Sequence, residues 1–169
     1  MRILEMRLKS IDKNIEHLFN VLFGAYIAGV LWITLFSRIG NEYRGFLYPF
    51  YSYREILKGN RRYLFENVGN IVLFLPLGAI LKCMGVNAFK RSVVIGFLFS
   101  CTIEILQAIF SLGTFECDDI MHNTLGVLLG FELVKRVARG FQVDMNRKNE
   151  ALVIFSIILC VLLLFLFCY

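Results

Sequence analysis

Apolar runs close to the length of a bilayer crossing recur along the chain, separated by short polar or basic stretches. Five segments have that form: Leu18–Phe36, Val68–Met84, Ser92–Leu112, Asp119–Val134 and Ala151–Tyr169. Each predicts a helix, because hydrocarbon offers no water to a backbone that does not bond to itself. The expected fold class is all-α: a polytopic membrane helix bundle of about five transmembrane helices. The fourth run has only 16 residues and begins with polar side chains. At 1.5 Å per residue it reaches about 24 Å against a core of about 30 Å, so its polar start belongs inside the membrane or below a thinned surface.

These runs divide the chain into a cytoplasmic amphipathic tail (1–17), a four-helix membrane domain (18–134), a cytoplasmic basic loop (135–150) and a C-terminal transmembrane helix (151–169). The first helix reads as retained, since no A-x-A cleavage pattern follows it. Within the domain, an outer loop at 37–66 is crowded with Tyr43, Phe46, Tyr48, Phe50, Tyr51, Tyr53 and Tyr63. Ser52-Tyr53-Arg54-Glu55 has capping-box spacing, and Tyr53, Ile56, Leu57, Asn60 and Leu64 follow at helical intervals. A short helix in the outer interface is expected, with Arg54, Lys58, Arg61 and Arg62 toward water or phosphate. An aromatic anchor with no ligand accounts for the same features. No internal repeat or Gly/Ser-rich linker interrupts the chain, which favours one bundle.

Composition agrees with this pattern: 58% of the 169 residues are hydrophobic and 18% charged, against roughly 45–50% and 25% in soluble domains. A soluble enzyme with an ordinary core is excluded. The net charge of +5 does not imply nucleic acid, because the basic residues border apolar runs, where they orient helices. The tail holds four (Arg2, Arg7, Lys9, Lys13), the segment around Lys82, Lys90 and Arg91 three, and the 135–150 loop five, against six in the 37–66 loop. The N-terminus is therefore expected in the cytoplasm and the C-terminus outside, in a multi-pass protein of the cell membrane. The five cysteines form no disulfide framework.

Polar side chains inside the runs are costly and must face protein or a wet cavity. Ser100, Glu104, Gln107 and Ser111 stand at i, i+4, i+7 and i+11, as do Asp119, Asn123, Gly126 and Gly130, the repeat of one helix face. Asn67, Asn70, Phe74 and Gly78 share a face of the second run, where Pro76 removes an amide and predicts a kink. Gly126 and Gly130 form a G-x-x-x-G unit that admits a close neighbour. With the expected orientation, Asn67, Asn70, Glu104, Gln107, Asp118, Asp119 and Asn123 all fall in the outer leaflet. That favours a pocket over a channel. Capping of its own helix accounts for Asp118, whereas pairing with Arg44 or Arg54, or a hard divalent cation, would suit the remaining carboxylates. Cys117 and His122 fall short of a zinc site or a nucleophile pair. No metal or cofactor is assigned, and His17 receives no role.

The same residues carry a resemblance. Asn67-Val68-Gly69-Asn70 through Pro76-Leu77-Gly78, Glu104-Ile105-Leu106-Gln107, and Asp118-Asp119-Ile120-Met121-His122-Asn123-Thr124-Leu125-Gly126 with Gly130 resemble the VanZ-like family of bacterial integral membrane proteins. The likeness runs from about Leu47 through Phe131 and includes Pro49-Phe50. Where the family pattern places an Asp two residues before the Asp pair, this chain has Glu116. His122 stands where an apolar residue is usual. The resemblance implies a link to teicoplanin resistance, the association of the family's founding member.

Three readings follow. In the first, Asn67, Asn70, Glu104, Gln107, Asp118, Asp119 and Asn123 receive a lipid headgroup or lipid-linked cell-wall precursor, and Arg54 attracts its phosphate. In the second, a membrane-embedded hydrolase or transferase acts on a polyprenyl or phospholipid headgroup, with Asp119, Glu104 and His122 as catalytic candidates. In the third, the polar groups only cross-link the bundle. The expected partners are membrane lipids and not nucleic acid; oligomeric state has no signature in the sequence.

Overall fold

The computed structural model describes residues 2–36, 46–84, 86 and 89–140. Five helices carry them: α1 (Arg2–Thr34), α2 (Tyr51–Leu57), α3 (Arg61–Cys83), α4 (Phe89–Ile109) and α5 (Cys117–Gly140). A two-residue parallel pair joins β1 (Phe46–Leu47) to β2 (Phe115–Glu116), with Phe46 opposite Phe115. Among the described residues, three helices are long and apolar enough to cross a membrane: α1 over His17–Thr34, α3 and α4. α5 has the length, 24 residues, but its acidic first turn and basic last turns deny it the apolar composition. The expected span 151–169 and residues 141–150 of the basic loop lie outside the described residues, as does Arg44.

The helices overrun the apolar segments that announced them. α1 continues through the amphipathic tail as one helix from Arg2, and α5 extends six residues beyond Val134, because basic and polar turns remain helical once an apolar stretch has nucleated the helix. α3 starts seven residues before Val68: the Asn60 side chain caps it by accepting from Arg62 N at 3.3 Å. Gly59, at φ +92°, turns the chain between α2 and α3 in a conformation that favours glycine. The expected helical run to Leu64 is thus two helices. Ser52 is also not the N-cap of α2; that position belongs to Phe50, which makes no side-chain capping bond.

α3 is the central element, buried from Leu73 to Ile80 apart from Leu75. Its principal partner is α5, and the two backbones nearly touch. A Cβ added to Gly78 would lie 1.9 Å from the Val127 carbonyl oxygen, one on Gly126 2.3 Å from that of Ile71, and one on Gly130 1.9 Å from that of Leu75. Small residues on both helices are therefore a steric requirement of the seam. Pro76 lies buried inside α3, which runs through it. α4 packs against α5 with Gly96 over the Val127 side chain. α1 instead meets α3 through long side chains: Phe19 and Val30 are buried against it, and the Tyr26 hydroxyl donates to the Leu73 carbonyl at 2.9 Å.

Candidate functional site

α3 and α5 run parallel, and α4 runs antiparallel to both, which brings the start of α3, the end of α4 and the start of α5 to one end of the bundle. Asn67, Glu104, Gln107, Asp118, Asp119, His122 and Asn123 are all buried there. Asn70 is half-buried, and Arg54 is exposed on α2. Among the described residues the buried polar set contains three carboxylates and no Lys or Arg.

The first turns of α5 present two polar faces. Asp118 and His122, one turn apart, face α2. Both Asp118 oxygens accept bonds from the start of that helix: Oδ1 from Phe50 N at 2.5 Å, and Oδ2 from Ser52 N at 2.8 Å and Ser52 Oγ at 2.6 Å. Asn67 Nδ2 donates in turn to Ser52 Oγ at 3.2 Å. Asp118 thus caps a helix more than sixty residues upstream, not its own, and its partners are neutral donors instead of an arginine. A negative charge at these exposed amides is favoured by the dipole of the peptide groups behind them. His122 Nε2 lies 2.9 Å from the Tyr53 hydroxyl, and the two rings stack at 5.6 Å between centroids.

Asp119 and Asn123, also one turn apart, share the face directed at α4. Asn123 Nδ2 donates to Ser100 Oγ at 2.9 Å. One turn nearer the end, Glu104 Oε2 accepts from Glu116 N at 2.9 Å, so the α4 carboxylate stands level with the first turn of α5. Gln107 completes this side by donating from Nε2 to the Thr34 carbonyl of α1 at 2.8 Å. The buried oxygens Gln107 Oε1 and Asn123 Oδ1 have no hydrogen-bonding partner. Ser111, the expected fourth member of the α4 stripe, is exposed beyond the end of the helix at φ +54°.

No group of three or more His, Cys, Asp and Glu side chains among the described residues is arranged to hold a metal ion. What the arrangement offers is hydrogen bonding and negative charge in a place shielded from water. Ser52, Tyr53 and Thr34 belong to it although no pattern in the sequence points to a site role for any of them. Ser52 and Tyr53 stood in an aromatic, capping-like stretch that reads locally. Thr34 acts through its backbone carbonyl, which side-chain patterns cannot reveal.

No solved structure matches the chain. A curated relative, protein VanZ of Enterococcus faecium, is 32% identical over 161 residues, spanning 85% of this chain and 88% of that protein. Residues 23–139, from α1 to the penultimate residue of α5, match the family described as VanZ/LLP1, which takes in every buried polar residue of the helix-end site. With a family match over most of its length and a relative of this similarity, the chain belongs to the VanZ/LLP1 family of membrane proteins.

Proposed function

We propose that this membrane protein binds the polar head of a membrane lipid or lipid-linked cell-envelope precursor at the polar end of its bundle, and through that ligand contributes to glycopeptide (teicoplanin) resistance. The observation that carries the reading is the burial of Glu104, Gln107, Asp119 and Asn123 on facing sides of α4 and α5. Ionisable side chains are kept at such positions in membrane proteins chiefly for function. α2 would lie in the membrane interface, its exposed Arg54 and Lys58 together with Arg61 and Arg62 of α3 meeting lipid phosphate while Tyr53 and Leu57 reach the acyl boundary. The site would face the outer leaflet, with the N-terminus cytoplasmic, as the distribution of Lys and Arg favours.

Native mass spectrometry of gently solubilised protein, beside Asp119→Asn and Glu104→Gln, tests the proposal. A co-purified phospholipid or polyprenyl-linked species that is lost from both variants supports it; bare protein in all three refutes it and leaves the polar groups as cross-links of the bundle. The facing carboxylates Glu104 and Asp119 also favour a second reading, an acid–base pair acting on that headgroup. Turnover of a retained lipid that stops in Asp119→Asn would establish it.

A further inference from the structure

The end of the bundle away from the buried carboxylates has the opposite character. The Phe131 ring of α5 marks it: the Lys82 ammonium, in the last turn of α3, stands 5.5 Å over that ring, and the Phe89 ring at the start of α4 meets it edge-on at 5.9 Å. The end of α3 and the start of α4 are thereby brought beside the last turns of α5. Lys82, Lys90, Arg91, Lys135, Arg136 and Arg139 arrive on these three elements. Among the described residues of these turns Glu132 is the one acid, and Lys135 pairs with it at 2.6 Å. Lys90, Arg91, Arg136 and Arg139 are exposed, so a headgroup reaches them from outside the bundle and needs no cavity. The link 84–88 carries no charge, and the stretches 1–16 and 141–150, each taken whole, hold at least as many Lys and Arg as Asp and Glu. Neither stretch therefore balances the excess.

Two of these cations stand where a helix disfavours them. Lys and Arg are welcome in the last turns of α3 and α5, against the negative pole of the peptide dipoles, but Lys90 and Arg91 occupy the first turn of α4, at the positive pole. No acid shares that turn. Ser92, the next residue, is fully buried with its Oγ unpartnered, and helical side chains lean toward the N-terminus, so an unused hydroxyl is directed at the same end. An anion placed there meets the helix pole and both cations together, and an arrangement that costs stability by itself then favours binding. We infer that this end of the protein docks anionic phospholipid headgroups, with a phosphate seated at Lys90 and Arg91 on the α4 N-terminus and Arg136 and Arg139 of α5 adding to the attraction. A lipid is the fitting source of that phosphate, because α3 and α4 are long and apolar enough to cross a membrane and their ends then lie at headgroup level. The inference concerns the end opposite the site proposed above and stands without it.

The test uses the full chain in detergent, offered equimolar phosphatidylglycerol and phosphatidylcholine of the same acyl chains and read by native mass spectrometry. Both lipids carry the phosphate, but choline cancels its charge, so the comparison reads net negative charge. Each Lys or Arg near an anionic headgroup contributes about fivefold in affinity. Phosphatidylglycerol is therefore expected to be retained at least about tenfold over phosphatidylcholine in about 0.05 M ammonium acetate, and by a much smaller ratio in about 0.5 M, where exposed charges are screened. Lys90→Gln combined with Arg91→Gln is expected to lower the low-salt preference to about threefold or less. Equal retention of the two lipids by the wild-type protein, or retention of neither, overturns the inference. A preference that survives intact in the Lys90 and Arg91 variant overturns it as well. Should that variant not fold, Arg136→Gln combined with Arg139→Gln decides in its place, an unchanged preference again counting against the inference.

Discussion

The first two turns of α5 and the two that follow belong to one helix, yet they hold their surroundings in opposite ways. From Asp118 to Asn123 the helix reaches α2 and α4 through side-chain hydrogen bonds. From Gly126 to Gly130 it lies backbone against backbone on α3, with no room for even a methyl group. Close packing fixes the distance between two helices to a few tenths of an ångström, because repulsion rises steeply and many weak contacts add up. Hydrogen bonds tolerate more variation in length but demand direction. The glycine seam therefore sets where the acidic turns stand, and the acidic turns decide what they can bind.

The largest effect should come from breaking the seam. Gly130→Leu forces α3 and α5 apart at the Leu75 carbonyl, and overpacking of this kind costs about 1–3 kcal/mol or more. Loss of most of the folded, monodisperse protein in detergent is the expected outcome, and normal yield with an unchanged melting temperature would show the seam to be dispensable.

Asp118→Ala should come next, removing the acceptor of three hydrogen bonds at the start of α2 and leaving their donors unpaired, at a net cost of about 1–3 kcal/mol. Its signature is local. Amides of 50–58 should exchange with deuterium at least tenfold faster while those of α3 and the second half of α5 keep their protection, and a uniform increase across all helices would contradict the division of labour between the two halves. Tyr53→Phe deletes only the contact with His122, an effect of about 1 kcal/mol or less on thermal stability. Arg62→Ala breaks an exposed pair with Glu66 and should leave the melting temperature of the protein unchanged, as is usual for surface ion pairs.

How much of this was legible in the sequence differs between the same two regions. The spacing of Gly126 and Gly130, and of Ser100, Glu104 and Gln107, is a property of one helix; those residues lie on faces directed at neighbouring helices in the structure. The stripe ends before Ser111, because helical spacing in a sequence carries no mark of where the helix stops, here at Ile109. Helix ends are illegible wherever polar turns prolong an apolar run, as at Arg61 and Gly140. Asp118 is the least legible residue of the site. A carboxylate in the first turn of a helix reads as that helix's cap, and nothing local says that its partners are the amides of Phe50 and Ser52. Such pairings come from the antiparallel course of the chain, which periodicity does not encode.

The remote cap of α2 also has a meaning in time. Ser52 and the carboxylate that closes its helix are 66 residues apart, so at a synthesis rate of 5–20 residues per second Asp118 emerges about 3–13 s after Ser52. During that interval the first amides of the α2 segment lack the acceptor they have in the folded protein, nothing holds Phe50 at its left-handed φ, and seven residues are too few to keep a helix in water. The start of α2 is therefore capped only after α3 and α4 have been made and the first turn of α5 has arrived. Substituting Asp118 would leave the aromatic corner permanently in the uncapped condition that every newly made chain passes through.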